Sequence, residues 1–208
     1  THMKRIEIHP VNPQPRLIRQ VAEQFQTGAL VALPTDASYV LACHLEDRTA
    51  VDRMRQLRGI DEKHLLTLLC RDLSELSQYA QVDNRQFRFL KEWTPGAYTF
   101  ILPATREVPR RLMHPSRKTV GLRVPEAPIV QALLAELGVP LLCASLILPG
   151  DEDPLSDPDD IQDRIGKRID LLVDGGAGQL MATSVIDFTG DEPVIQRVGL
   201  GSVEAMLR

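Results

Sequence analysis

Two periods of apolar residues alternate along the chain. From Pro15 to Gln26, Leu17, Ile18, Val21, Ala22 and Phe25 recur at helical spacing, and Gly28 closes the segment. Short apolar runs follow at Leu30–Leu33 and Tyr39–Cys43; with β-branched Val31 and Val40 they read as strands. Between them stand Pro34, Thr35, Asp36, Ala37 and Ser38, a hydroxyl and a carboxylate where a glycine turn would suffice. A second helix is predicted over Arg48–Leu57, striped by Ala50, Val51, Met54 and Leu57. "HLLTLLC" reads as a strand, and Asp72, Ser74 and Asp83 are candidate caps for two helices between Leu73 and Lys91. "TPGAYTFIL" turns through Pro-Gly into a strand, and "KTVGLRV" is another, stopped by Pro125. Pro128–Leu137 is a helix ended by Gly138, and "VPLLCAS" a buried strand. Ser156 or Asp157 caps a further helix with Pro158 in its first turn, before the strands "IDLLVDGG", "TSVIDF" and "PVIQRVG".

The order of these elements sets the fold class. Helices and strands alternate, which makes the chain α/β, but the last three strands come nearly consecutively. The sheet is therefore expected to mix parallel and antiparallel strands. No repeat and no linker divides the sequence, so residues 4–208 are expected to form a single domain, with residues 1–3 ("THM") read as a cloning remnant. No apolar run reaches the roughly 18 residues of a membrane span and no signal-peptide layout is visible, so no membrane partner and a cytoplasmic location are expected.

Charge sharpens the picture. The formal net charge is −4, which does not suit a protein coated with nucleic-acid-binding cations, yet its distribution is uneven. Arg106, Arg110, Arg111, Arg117, Lys118 and Arg123 crowd one stretch against only Glu107, whereas residues 151–163 hold seven carboxylates and no base. Such segregation makes either one cationic face or solvated loops; the acidic stretch reads as a loop and helix start. Cys43, Cys70 and Cys143 form no CxxC and sit inside apolar runs, as buried reduced thiols do. His9, His44, His64 and His114 show no ligand spacing, and no phosphate-loop, dinucleotide or zinc-protease motif occurs, so no metal site is expected.

Several strands end in small polar residues, Thr35, Ser145, Gly175 with Gly176, and Thr183 with Ser184, whose convergence would make a polar pocket; strand ends also need turn formers for their own sake. Arg53, Arg55, Arg58, Lys63 and His64 lie on and after the second helix. Arginine forks there suit phosphate or carboxylate, and basic residues at a helix C-terminus equally complement its dipole.

In order, "LPTDASYVLAC", "RMRQLRG", "WTPGAYTFIL", "KTVGLRVPEAP", "LLCASLILPG", "LLVDGG", "TSVIDF" and "PVIQRVG" resemble the YrdC/YciO family, over almost the whole chain. The resemblance implies an open, twisted sheet of mixed strands around a large concave cationic surface. Synthases of the family make threonylcarbamoyl-AMP from threonine, bicarbonate and ATP for tRNA modification, and members have been regarded as double-stranded-RNA binders. By resemblance, Thr35, Thr99, Arg123 and Ser184 would bind threonine, and Arg58, Lys63, His64, Ser145 and Arg197 the nucleotide, with magnesium arriving only on ATP and no cofactor held tightly. Arg106, Arg110, Arg111, Arg117 and Lys118 are the candidates for contact with duplex RNA or tRNA.

The synthase signature, a lysine, an arginine two residues later and a downstream Ser-x-Asn, is altered here. Arg58 stands at the lysine, Ile60 at the arginine and Ile147 at the asparagine, beside retained Ser145. An isoleucine neither donates a hydrogen bond nor neutralises phosphate, and losing one preorganised donor costs about 10²–10³ in rate. "SLILPG" thus places the chain nearest the YciO branch, and the expected function is nucleotide and RNA binding with weak or altered catalysis. An active synthase using Arg58, Lys63 and His64 is the alternative. A hydrolase of related compounds and a pocket without a ligand complete the alternatives.

Overall fold

The apolar runs do fold as strands, and the computed structural model describes residues 3–207. In chain order the elements begin with β1 (Lys4–Glu7), α1 (Pro15–Gln26), β2 (Val31–Leu33), β3 (Val40–His44) and α2 (Arg48–Arg58). They continue with β4 (Thr67–Leu69), α3 (Leu73–Tyr79), α4 (Asn84–Trp93), β5 (Tyr98–Pro103) and β6 (Thr119–Arg123). Last come α5 (Pro128–Leu137), β7 (Leu141–Ser145), α6 (Pro158–Ile165), β8 (Leu171–Asp174), β9 (Ser184–Asp187) and β10 (Val194–Arg197). Asp47, Asp72, Asp83 and Asp157 each cap a helix through the carboxylate, Asp83 in a capping box with Gln86, so Ser74 and Ser156 are not the caps. Gly59 and Gly138 end α2 and α5 in the left-handed conformation that a side chain would resist.

All the strands join in one open sheet in the order β1-β8-β2-β3-β7-β4-β6-β5-β9-β10, with parallel and antiparallel pairs mixed as the element order implied. β1 carries no readable period: its four residues "KRIE" bury only Ile6, and it is recruited to the edge by β8, far along the chain. The strand read over "HLLTLLC" shrinks to Thr67–Leu69, because Lys63 to Leu65 turn into a cavity instead of continuing the ladder. Among the described residues, no helix is long and apolar enough to cross a membrane.

Side chains of a strand alternate between the two faces of its sheet, and here the faces are dressed differently. On one face Leu30, Leu41, Leu68, Phe100, Leu122, Leu142 and Ile186 bury against α2, α3, α4 and α6 through Met54, Leu57, Leu76, Leu90 and Ile161. On the other, α1 and α5 cover β2, β3, β7 and β8 by packing Phe25, Val21, Val130 and Leu133 on Val31, Leu33, Val40 and Val173. That second cluster takes Leu69 from β4 and nothing from β5, β6 or β9. Half of one sheet face is left without a helix. The site lies there.

Candidate functional site

Strand register builds the floor of the bare face. Thr67 stands opposite Cys143 on one side and Gly121 on the other, and Gly121 opposite Ile101, so these four side-chain positions form one row. A Cβ at Gly121 would lie 2.8 Å from Thr67 Oγ1 and 3.3 Å from Thr99 Cγ2, so glycine is what lets the two threonines close together there. Around this row opens a cavity of about 470 Å³. Its walls carry Arg58, Lys63, His64, His114, Arg117, Arg123 and Arg197, and no carboxylate is among the lining residues. This is a large concentration of like charge for a protein of negative net charge, and it marks the cavity for anions.

At one end, Arg123 is only 3% exposed. Its guanidinium donates to Asp36 Oδ1 at 2.6 Å and to Thr35 Oγ1 at 3.0 Å, while Asp36 Oδ2 accepts the backbone N–H of Glu126 at 2.9 Å. The polar break between β2 and β3 therefore exists to hold an arginine. Thr35 itself is occupied within its turn, donating to Ser38 O and accepting from Ala37 N, and it stands behind Arg123 outside the cavity lining. Arg123 keeps its Nε buried without a partner. Thr99 lines the same end and shares a 2.7 Å hydrogen bond with Thr183.

At the other end, Arg58 donates to the carbonyl of Ser145, with its Nε also buried and unpartnered. Burial, and then the neighbouring charge of Arg197, lower its pKa; Arg197 is likewise lowered by burial and then by Arg123. Arg197 lies between the two ends, on the Thr99 side, since Val185 pairs with both Arg197 and Thr99; it donates twice to Thr183 O, at 3.1 and 2.8 Å. Guanidiniums destabilised in their charged form by one another are stabilised by an arriving anion. Loss of hydration, then the charges of Arg58, Arg55 and Arg197, also push His64 below the ordinary 6.5, against a pull from Asp61. The ring stays open to solvent on one side, so the effect is screened. A histidine depressed in the fold contributes stability that is intact above about 6.5 and is lost as pH falls from there through its folded-state value. The expected result is an NMR titration of His64 with a midpoint below 6.5 in the free protein, moving up when phosphate fills the cavity. A midpoint at or above 6.5 in the free protein contradicts this crowding.

The remaining expected residues are distributed unevenly. Ser145 lines the cavity, with Ile147 beside it; Ile60 points instead into the core under α2. Ser184 is fully buried on the opposite face, where its hydroxyl donates to Gly201 O and accepts from Gly199 N, so that it fastens the loop behind Arg197. Thr183 takes the cavity-facing place; period-two alternation through Thr183 and Val185 was the signal for it. Thr67, His114, Gly121 and Gln196 are further lining residues outside the predicted set. Gly175 and Gly176 do not converge on the cavity: both bond to the Tyr39 hydroxyl elsewhere in the fold. Of the basic stretch, Arg117 reaches the cavity, Arg106, Arg110 and Lys118 are exposed and outside its lining, and Arg111 turns away to donate to Leu45 O. All three thiols are free and buried. Burial pushes Cys143, the one that lines the cavity, up to about 11, which makes it a poor nucleophile.

Known proteins resemble this molecule over nearly its full length. A family model named for Sua5, YciO and YrdC and described as "Telomere recombination" matches residues 23–199. YciO of Escherichia coli (strain K12) is 52% identical over 200 residues, covering 96% of this chain and 97% of that protein. The crystal structure of E. coli YciO superimposes with a TM-score of 0.95, covering 98% of this chain and 99% of that one. A threonylcarbamoyl-AMP synthase of Vibrio vulnificus (strain YJ016) is 27% identical over 184 residues, 86% of this chain and 97% of the synthase. Sua5 of P. abyssi, solved as a complex with L-threonine, gives a TM-score of 0.84 at 25% identity, covering 96% of this chain and 58% of that one.

Proposed function

Because the chain belongs to the Sua5/YciO/YrdC family, we propose that its cavity binds a nucleotide together with a small carboxylate of the L-threonine class, with synthase chemistry that is weak or altered. The observation that carries this reading is a cavity lined by four arginines, a lysine and two histidines and by no carboxylate. The two ends differ in a way that suits two ligand groups. Arg123 is already half-neutralised by Asp36, which favours a monoanion such as a carboxylate. Arg58, at the opposite end, has no acid beside it and, with Arg197 between the two ends, suits the denser charge of phosphate. Relatives support the same pairing, since one is a threonylcarbamoyl-AMP synthase and another holds L-threonine. Ile147 argues for weakened chemistry: it places an apolar side chain in the wall where a donor would stabilise charge during adenylyl transfer. Magnesium would enter with ATP, because the lining offers no carboxylate to hold it.

Exposed Arg106, Arg110 and Lys118 share the stretch 104–118 with cavity-lining Arg117 and have no carboxylate within ion-pair distance among the described residues, which favours a second reading as a landing strip for duplex RNA. One set of measurements tests both. Protein, L-threonine, bicarbonate and Mg-ATP are incubated and threonylcarbamoyl-AMP and pyrophosphate are quantified by mass, beside calorimetric titrations with ATP, AMP and threonine. The expected result is saturable nucleotide binding with turnover rising in the Ile147→Asn variant. Absence of nucleotide and threonine binding overturns the first reading. For RNA, affinity should fall steeply with salt as counterions are released, and a flat salt dependence rejects it.

A further inference from the structure

We propose that the turn at residues 114–118 completes the phosphate end of the cavity, with Arg117 supplying charge and His114 a hydrogen-bond donor to a pyrophosphate group, free or as the tail of a nucleotide. The assignment rests on the nucleotide reading above and extends it to residues outside every segment that carries the family resemblance except the lysine at its border.

Register brings the turn to that end. β4 and β6 run parallel with Thr67 opposite Gly121, so the residues leading into each strand arrive at the same side: Lys63 to Leu65 into β4, the 114–118 turn into β6. β7 runs antiparallel to β4 with Cys143 opposite Thr67, so its outgoing end, Ser145 and then Ile147, meets them there. Arg58, bonded to Ser145 O, belongs to the same group.

The turn is built to present two side chains. His114 N–H donates to Thr119 O at 2.9 Å, and Lys118 N–H to His114 O at 3.0 Å, with Lys118 in the left-handed region at φ 57°. The His114 Nδ1 accepts the backbone N–H groups of Arg117 at 3.1 Å and Ser116 at 3.3 Å, which places the ring proton on Nε2 and leaves that N–H as the free donor of a cavity-lining ring. Arg117 also lines the cavity and is exposed, with no ion-pair partner among the described residues. A second observation points to a ligand at the foot of the turn. Thr119 is only 4% exposed, lines the cavity, and its hydroxyl has no partner, a condition that buried polar atoms seldom keep when their ligand is present. The charge absent at Ile60 is thus supplied from a different loop, where alignment along the motif would not look for it.

The test uses the double variant His114→Asn/Arg117→Gln. Asparagine at 114 keeps an acceptor for the turn's backbone N–H groups while deleting the Nε2 donor, so the turn is preserved. Calorimetric titrations compare inorganic pyrophosphate, ATP and AMP. The expected result is a loss of about tenfold or more in affinity for pyrophosphate and ATP, with AMP within twofold of the parent protein. Pyrophosphate and ATP affinities within twofold of the parent overturn the assignment, and so does an equal loss for AMP. If the parent binds pyrophosphate but neither nucleotide, and the variant loses it, the turn's role stands and the nucleotide reading falls. If the parent binds none of the three, both fall.

Discussion

Replacing Arg123 by methionine is expected to destabilise the protein by about 3–5 kcal/mol, the usual result of stripping one partner from a buried ion pair. The reason is on the Asp36 side of the pair. Arg123 and Asp36 side chains are 3% and 11% exposed, so the carboxylate left behind loses its 2.6 Å partner without gaining water. Its remaining hydrogen bond, from Glu126 N–H, holds the chain near the cavity but does not neutralise it. For a chain of this length the melting temperature should fall by roughly 10 °C or more. Adding Asp36→Asn in the same molecule removes the orphaned charge and should restore part of that loss. Denaturant titration of the two single variants and the double variant measures the coupling directly. A single Arg123→Met variant within 1 kcal/mol of the parent would show that the pair is not structural. Small-carboxylate binding should be abolished even in the rescued double variant, which separates Arg123's part in the ligand from its part in the fold.

At the opposite end, Arg58→Met is expected to weaken nucleotide binding by about 100-fold, since charge-assisted hydrogen bonds contribute about 1.5–3 kcal/mol each. Its effect on the free protein should be small. The variant gives up one bond to Ser145 O but also removes a guanidinium with an unpartnered Nε, lowered in pKa by burial and by Arg197. A group crowded by like charge in the free protein and relieved by an arriving anion trades stability for binding. Thermal melts with and without ATP check both halves, because a ligand that binds only the folded state raises the melting temperature by mass action. The parent should gain from ATP and the variant should not. An equal gain in both would place the phosphate elsewhere.

The amino-acid sequence by itself determined the elements and their order. Helix limits at Pro15–Gln26 and Pro128–Leu137 followed from periodicity closed by glycine, and the aspartate caps of α3 and α4 from short-range chemistry, all of which act within a few residues. The consecutive strands at the end implied the mixed sheet, and the ordered motifs implied the family. What lies further apart was decided only by the tertiary structure. β1 has no amphipathic signal and is a strand because β8 offers it an edge. Asp36 reads as a turn residue until Arg123, 87 positions away, closes on it. Ser184 and Thr183 are equally polar neighbours, and pairing of β9 with β5 alone sends one to the cavity and the other behind it. The cavity itself is an absence of cover. α1 and α5 are long enough to shield one half of a sheet face and not the other, and how far a helix reaches across strands drawn from the whole chain is a matter of packing that no local pattern records.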